Sequence, residues 1–566
     1  MKKQWWHGKV AYQIYPKSFN DTNGDGVGDL RGIIDKLDYL KNLGIDIIWV
    51  SPMFTSPFVD QGYDISDYQG VAPIFGTMED MDELIAEAKK REMYILLDLV
   101  LNHCSDQHEW FQKALADLEG KYADYFHIVD EKESGELPSN WRSTFGGPTW
   151  TKIPGTNKFY LHIFAKEQPD LNWENPELRQ EMYDMINWWQ DKGIAGFRLD
   201  AIANIKKDME YKSFPPDRED GLVSKFRMVE SVKGIEVFLK ELSEQTFNKI
   251  DALTVAELSS FDRAKLEEYV GDNGYFSTIF DLSTDSMEVS GNGWYDRNPI
   301  TANNYRQVIY DSIREIEGIG MKANIIENHD EPRGVSHYIP EEECNDYSKK
   351  MLAAILFMRP GLPFLYQGQE IGMENTPFDS IDEFDDLFTH NEYQVALDAG
   401  IEPSRALKLV NKYSRDNGRT PMQWSTDANA GFTTGKPWLK VNPNYVDINV
   451  ESQLKDENSV WKFYQKLISL RKDETYGDAF VYGSFEPVFE EKDNIIAFYR
   501  HGAESDILLI ANFQDKEAIL DLDVTIEKVL LDNYQYTADE KLDITNQELK
   551  LKPHQAVILA VTQKGE

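Results

Sequence analysis

Eight short apolar runs, each followed by a stretch of helical periodicity, constrain this chain more than any other feature. "VAYQIYP" (Val10 to Pro16) precedes "LRGIIDKLDYLKNLG", where Ile33, Ile34, Leu37 and Leu40 mark a helical face closed by Gly44. "DIIWV" (Asp46 to Val50) precedes a helix carrying Met81, Leu84, Ile85 and Ala88, and "YILLDLVLNH" (Tyr94 to His103) is the third run. "GFRLDA", "ALTVAEL", "FSTIFD", "ANIIENHD" and "PFLYQG" supply the other five. Eight strands alternating with helices predict an α/β chain built on a closed (β/α)8 TIM barrel, not an open doubly wound sheet.

Two segments interrupt the alternation. Residues 104–173, rich in Gly, Pro and Trp, are too long for a loop and read as a small inserted domain after strand 3. A second insertion, about 375–417, follows strand 8. From Gly477 to Glu566 the pattern changes to short alternating strands such as "NIIAFYRHG", which predicts a C-terminal all-β sandwich domain. The barrel then comprises 1–103 and 174–476.

The fourth run holds the first chemical signal. Residues i and i+2 of a strand share a face, so Arg198 and Asp200 point one way while Phe197 and Leu199 point the other. Such a pair is either a buried structural ion pair or an ionised carboxylate held at a strand end to act as a nucleophile. The second reading gains weight from position. Asp200 ends strand 4, Glu257 ends strand 5 and Asp330 follows strand 7, the ends at which barrel enzymes build active sites. His103 and His329 lie beside them.

Charge narrows the partners. The net charge of −39 is spread along the chain, which disfavours nucleic acid and anionic lipid. No 18-residue apolar run exists, and "MKKQWWHGKV" lacks the apolar core of a signal peptide. Two cysteines, Cys104 and Cys344, suit a reducing cytoplasm. The expectation is a cytoplasmic monomer with a small-molecule substrate and no organic cofactor.

The motifs "DLVLNH" (98–103), "GFRLDA" (196–201), "AEL" (256–258), "ENHD" (327–330), "QPDLN" (168–172), "DQGYDISDY" (60–68), "WRSTFGG" (141–147) and "RDNGRTPMQW" (415–424) occur in order along most of the chain. On these the sequence resembles glycoside hydrolase family 13, the α-amylase family, and within it the oligo-1,6-glucosidase group of α-glucosidases. The resemblance implies that Asp200 is the nucleophile, Glu257 the general acid/base and Asp330 the transition-state stabiliser. Glu257 must start protonated and Asp200 ionised, and Arg198 is expected to lower the pKa of Asp200. Retention of anomeric configuration would place the two carboxyl groups roughly 5–5.5 Å apart. The resemblance further implies that Asp60 and Arg419 clamp the non-reducing end, making the enzyme exo-acting. Tyr63 would stack on the sugar, and His103 and His329 would donate to its hydroxyls. Asp98 orients the network rather than reacting, and Phe145 and Phe164 either line the pocket or pack a core.

The loop "DTNGDGVGD" is a separate prediction. Asp21, Asn23, Asp25, the Val27 carbonyl and Asp29 occupy alternate positions of a calcium loop, with Gly26 at the sixth place. The bidentate Glu of an EF-hand is absent, since Gly32 stands at position 12. A structural Ca²⁺ or Mg²⁺ is expected here, as similar enzymes carry one near the first strand; the alternative is a metal-free loop of Asx-turns.

Two departures bear on specificity. Ala201 stands where oligo-1,6-glucosidases typically carry valine and α-1,4-specific maltases threonine, and Glu331 replaces a common glutamine at the aglycone side. The expected activity is release of glucose from isomaltose, isomaltotriose and panose. An α-1,4 preference, or a sucrose- or trehalose-acting hydrolase or isomerase, are the alternatives. No basic cluster for a phosphorylated sugar is evident. A catalysis-free membrane-anchored scaffold, known among relatives, is disfavoured by the full acid set and the missing anchor.

Overall fold

All eight apolar runs form strands of one barrel in a computed structural model, which describes residues 1–258, 263–288, 292–534, 542–545 and 547–563. The strands are β1 (Ala11–Ile14), β2 (Ile47–Val50), β3 (Tyr94–Val100), β4 (Gly196–Asp200), β5 (Leu253–Ala256), β6 (Thr278–Phe280), β7 (Lys322–Asn324) and β8 (Leu362–Tyr366). They pair in parallel, and β8 returns to β1, so the barrel closes as expected.

The period-2 alternation decides what faces where. Trp49, Leu96, Leu253, Val255, Phe280 and Phe364 fill the barrel interior, while Leu97, Leu99, Phe197 and Leu199 pack outward against the helices. Gly196 opens β4 because a Cβ there would lie 1.9 Å from the Leu253 carbonyl oxygen. The helix Met78–Lys90 begins at a Thr77–Asp80 capping box, and Asn175 caps Pro176–Asp191 with proline at the first helical position.

Between β3 and the helix Pro176–Asp191, the strands Ile128–Asp130, Trp150–Lys152 and Lys158–Leu161 form a small antiparallel sheet. The segment after β4 joins this unit in a way the sequence pattern did not announce. Val223–Ser224 pairs with Trp141–Arg142, and Val223 and Met228 share a core with Trp141, Trp150 and Phe159. The second insertion folds as two helices, Leu387–Asp398 and Pro403–Tyr413.

The C-terminal region starts with a short helix, Gly477–Tyr482, and its first strand is Ser484–Pro487. A five-stranded and a three-stranded sheet bury Ile495, Leu508 and Ile510 against Leu520, Leu549 and Leu551. The other face of the larger sheet, through Ile496, Phe498 and Leu509, belongs to the main core with the barrel helices. Among the described residues no helix is long and apolar enough to cross a membrane.

Candidate active site

Neighbouring strands in register build the centre of the site. Arg198 on β4 lies directly beside Asp98 on β3 in the parallel ladder, so both side chains rise from the apolar barrel floor on the same face. Arg198 Nη1 donates to Asp98 Oδ1 at 2.8 Å and to Asp200 Oδ1 at 2.6 Å, and Nη2 donates to Glu257 Oε2 at 2.8 Å. One buried guanidinium therefore joins three carboxylates. Asp98 is fully buried and also accepts from Tyr63 Oη at 2.9 Å and Trp49 Nε1 at 3.2 Å, which leaves it an orienting role. The Asp200 and Glu257 side chains are 11% and 29% exposed, so Glu257 has the better access to solvent protons.

The electrostatics correct one expectation. Arg198 was predicted to hold Asp200 at a low pKa. Burial outweighs that pull: it raises Asp200 overall, with the Asp330 charge adding, although Arg198 does act downward as expected. Burial also raises Glu257, against Arg198 and with help from the Asp200 charge, which suits a general acid. Asp98 is pushed up to about 7 by burial, again against Arg198.

Asp330 has the opposite balance. Burial works against its ionisation, but His329, Arg415 and Arg419 outweigh it and hold the carboxyl well below the usual range. Its Oδ1 accepts from Arg415 Nη1 at 3.0 Å and from Arg419 Nη2 at 3.1 Å. Arg415 also pairs with Asp386 and lies 3.6 Å from Asp60. The predicted clamp of Asp60 and Arg419 is thus bridged by Arg415, a residue the sequence reading passed over. Two arginines four residues apart at a short helix share a side, and that spacing was the available signal. Gln168 was also missed; its Nε2 donates to Asp60 Oδ2 at 3.0 Å.

Both predicted histidines sit in the site with their ring nitrogens engaged by protein. Gln13 Nε2 donates to His329 Nδ1 at 2.8 Å, which fixes the neutral tautomer with its proton on Nε2, facing Asp330 Oδ2 at 3.1 Å and Tyr63 Oη. Burial drives His329 down to about 3. His103 Nδ1 accepts from Asn102, so its Nε2–H meets the Tyr63 carbonyl at 3.1 Å. Tyr63 has one ring face stacked on His329, with centroids 5.3 Å apart. Phe145 and Phe164 stand 5.9 Å apart, with Phe164 against His103 and the Arg415 guanidinium over Phe145. Phe164 also packs on the core of Trp141, Trp150 and Phe159.

Ala201 has φ 43° and ψ 33°, a left-handed conformation uncommon for a residue with a Cβ. That turn aims its N–H at Glu257 Oε2, 3.0 Å away. Glu331 is half-buried, and burial together with Asp285 lifts its carboxyl well above the ordinary range.

The predicted cation loop is pinned to residues 432–438. Asp21 N–H donates to the Phe432 carbonyl, Trp438 N–H to the Gly26 carbonyl, and Thr433 Oγ1 to Asp21 Oδ2. Gly26, at φ 95°, admits no Cβ, which would meet the Lys436 carbonyl. The donors are all oxygen, the kind a hard cation takes. Asp21 accepts from the N–H groups of Asn23, Gly24 and Gly26, Asp25 from Val27, and Asp29 from Thr22 and Gly32. Among the described residues no three His, Cys, Asp or Glu side chains converge as a metal cluster.

The chain resembles known proteins along nearly its whole length. The family model "Alpha amylase, catalytic domain" matches residues 13–483. Oligo-1,6-glucosidase of Bacillus cereus is 40% identical over 565 residues, 99% of either chain. Trehalose-6-phosphate hydrolase of Bacillus subtilis (strain 168) is 39% identical over 567 residues, 99% of this chain and 98% of that one. Among solved structures, isomaltulose synthase of Klebsiella sp. LX3 superposes with a TM-score of 0.93 at 36% identity, covering 99% of this chain and all of that one.

Proposed function

The chain belongs to the α-amylase family of glycoside hydrolases, family 13, and from that premise we propose an exo-acting, retaining α-glucosidase that releases glucose from the non-reducing end of short α-1,6-linked gluco-oligosaccharides. Its class makes it a glycoside hydrolase with an oligosaccharide substrate. The observation that carries the retaining reading is the single guanidinium holding Asp200 and Glu257 on neighbouring nitrogens.

On this reading Asp200 attacks the anomeric carbon while Glu257 gives its proton to the leaving oxygen. Glu257 then takes a proton from the water that hydrolyses the glucosyl–Asp200 ester. A short carboxyl separation suits this double displacement, since the longer spacing of inverting enzymes leaves room for a water between the acids. Asp330, kept ionised by Arg415 and Arg419, offers a fixed negative charge to the oxocarbenium-like transition state. The hydrogen-bonded wall of Asp60, Gln168, Arg415 and Arg419 closes the pocket behind the first sugar, which supports exo action.

Linkage preference turns on Ala201. It borders the second subsite, where alanine leaves space that valine or threonine would fill. We expect higher kcat/KM on isomaltose than on maltose. Ala201→Val should sharpen that preference and Ala201→Thr should raise relative maltose hydrolysis, within the roughly 10–200-fold that one or two methyl groups control. The ratio of the two specificity constants is the measurement, because strain from a β-branched residue at positive φ acts on both substrates and cancels. A preference for maltose in the unaltered enzyme, or a flat ratio across the series, removes the α-1,6 reading. Sucrose and trehalose complete the panel.

We also propose that Ca²⁺ or Mg²⁺ occupies the loop of Asp21, Asn23, Asp25, the Val27 carbonyl and Asp29, exchanging some of the present hydrogen bonds for ligand bonds. The role is structural, tying the β1 connection to residues 432–438. Added Ca²⁺ should raise the melting temperature by mass action, and alanine at Asp21 and Asp25 should abolish the response. The same melting curve in chelator and in Ca²⁺ removes the metal.

A further inference from the structure

Lys225 is a buried lysine in the active-site region that neither the proposed reaction nor the fold uses. It directly follows the Val223–Ser224 strand, so the pairing of that strand with Trp141–Arg142 fixes where its side chain starts. The residue is 8% exposed, and its Nζ lies 4.2 Å from the centroid of Phe164, the ring that packs on His103. Among the described residues its ammonium has no hydrogen-bond or ion-pair partner, whereas Lys207 nearby is paired with Asp170 at 3.0 Å. Burial pulls its pKa down to about 8, with Glu257, Asp170 and Asp200 opposing and Lys207 adding to the fall. The charges that act on it therefore include both proposed catalytic carboxylates.

Lys225 Nζ is not among the fully buried polar atoms that lack a partner, so its three donors keep some contact with solvent and remain open to a ligand. Arg198, Arg415 and Arg419 already pair with the acids of this cleft, and Glu257 is kept protonated, so the group that suits the Lys225 donors is the neutral oxygen of a sugar hydroxyl. We propose that Lys225 is a substrate-positioning residue that donates a hydrogen bond to a hydroxyl of the sugar on the leaving-group side of the scissile bond, and so selects a sugar over a non-sugar leaving group. The inference rests on the α-glucosidase reading. Phe164 steers the cationic end through its ring face, and the Trp141–Arg142 pairing makes the lysine a contribution of the inserted unit.

The test compares isomaltose with p-nitrophenyl α-glucoside, whose leaving group carries no hydroxyl in the place of a second sugar. Lys225→Met keeps the length and apolar stem and removes the donor. Its kcat/KM ratio of isomaltose to aryl glucoside should fall at least about tenfold, the scale of a lost charged hydrogen bond, mainly through KM. Lys225→Arg should restore most of the ratio. Lys225→Gln replaces the methionine variant if that one fails to fold, as judged by its melting curve. An equal fall on both substrates would mean that Lys225 acts through Asp200, Glu257 or the fold, and overturns the proposal. An unmoved ratio in an enzyme that cleaves a disaccharide overturns it alone. An enzyme that cleaves the aryl glucoside but none of isomaltose, maltose, sucrose or trehalose overturns it together with the reading it rests on.

Discussion

Asp200→Asn should lower kcat at least about 10⁴-fold, the scale on which removing an enzyme nucleophile acts, while the melting temperature holds or rises. The two halves of that expectation come from one contact. The amide is nearly isosteric with the carboxylate but cannot form the glucosyl ester, so the double displacement stops before its first intermediate. Stability has no reason to fall, because Asp200 is one of three acids on the single Arg198 guanidinium and burial already raises its pKa. Replacing it leaves one cation for two carboxylates. A site that gains stability when its nucleophile is neutralised is one whose function costs stability. Added azide should partly restore turnover of an activated glucoside, giving the β-glucosyl azide by direct displacement with inversion. Near-normal kcat in the variant would end the assignment, and a collapsed melting curve would mean that Asp200 is chiefly structural.

The barrel was readable in the sequence because each strand is a short apolar run whose neighbours carry the 3.6-residue period. All eight runs, from "VAYQIYP" to "PFLYQG", become barrel strands. The Arg198–Asp200 alternation was readable for the same reason, since a strand leaves no choice of face. What escaped was set by contacts between distant segments. Val223–Ser224 is two residues long and carries no period, so its pairing with Trp141–Arg142 leaves no trace in local sequence. Arg415 stood inside a quoted motif, yet its bridging of Asp60, Asp330 and Asp386 depends on three separate segments. The sign of the Asp200 shift could not be read either. A pair of charges two residues apart predicts a lowered pKa, and burial reverses it with help from the count of acids at the site, Asp330 among them.

That count also sets the largest stability effect expected here. Arg198→Met should destabilise the protein by about 3–5 kcal/mol near neutral pH, the range for removing one partner of a buried charge group, and it should abolish activity. Methionine keeps the bulk over Trp49, so the loss comes from charge rather than from a cavity. Asp98, Asp200 and Glu257 would then share the site with no cation at their centre, and the folded-state pKa of each would rise further. A raised folded-state pKa gives stability that is fully present below the unfolded value and is lost as pH climbs through the folded one. For Asp98 in the unaltered protein that window already reaches from the ordinary aspartate range to about 7. In the variant it widens upward and includes all three acids. The gap in melting temperature between the two proteins should therefore grow with pH where the variant's acids still hold protons that the unaltered protein has released, which for Asp98 begins near pH 7. A gap that is large but constant with pH would show that the three carboxyl groups do not ionise as a cluster around Arg198, and the account of how Glu257 is kept protonated beside Asp200 would fall with it.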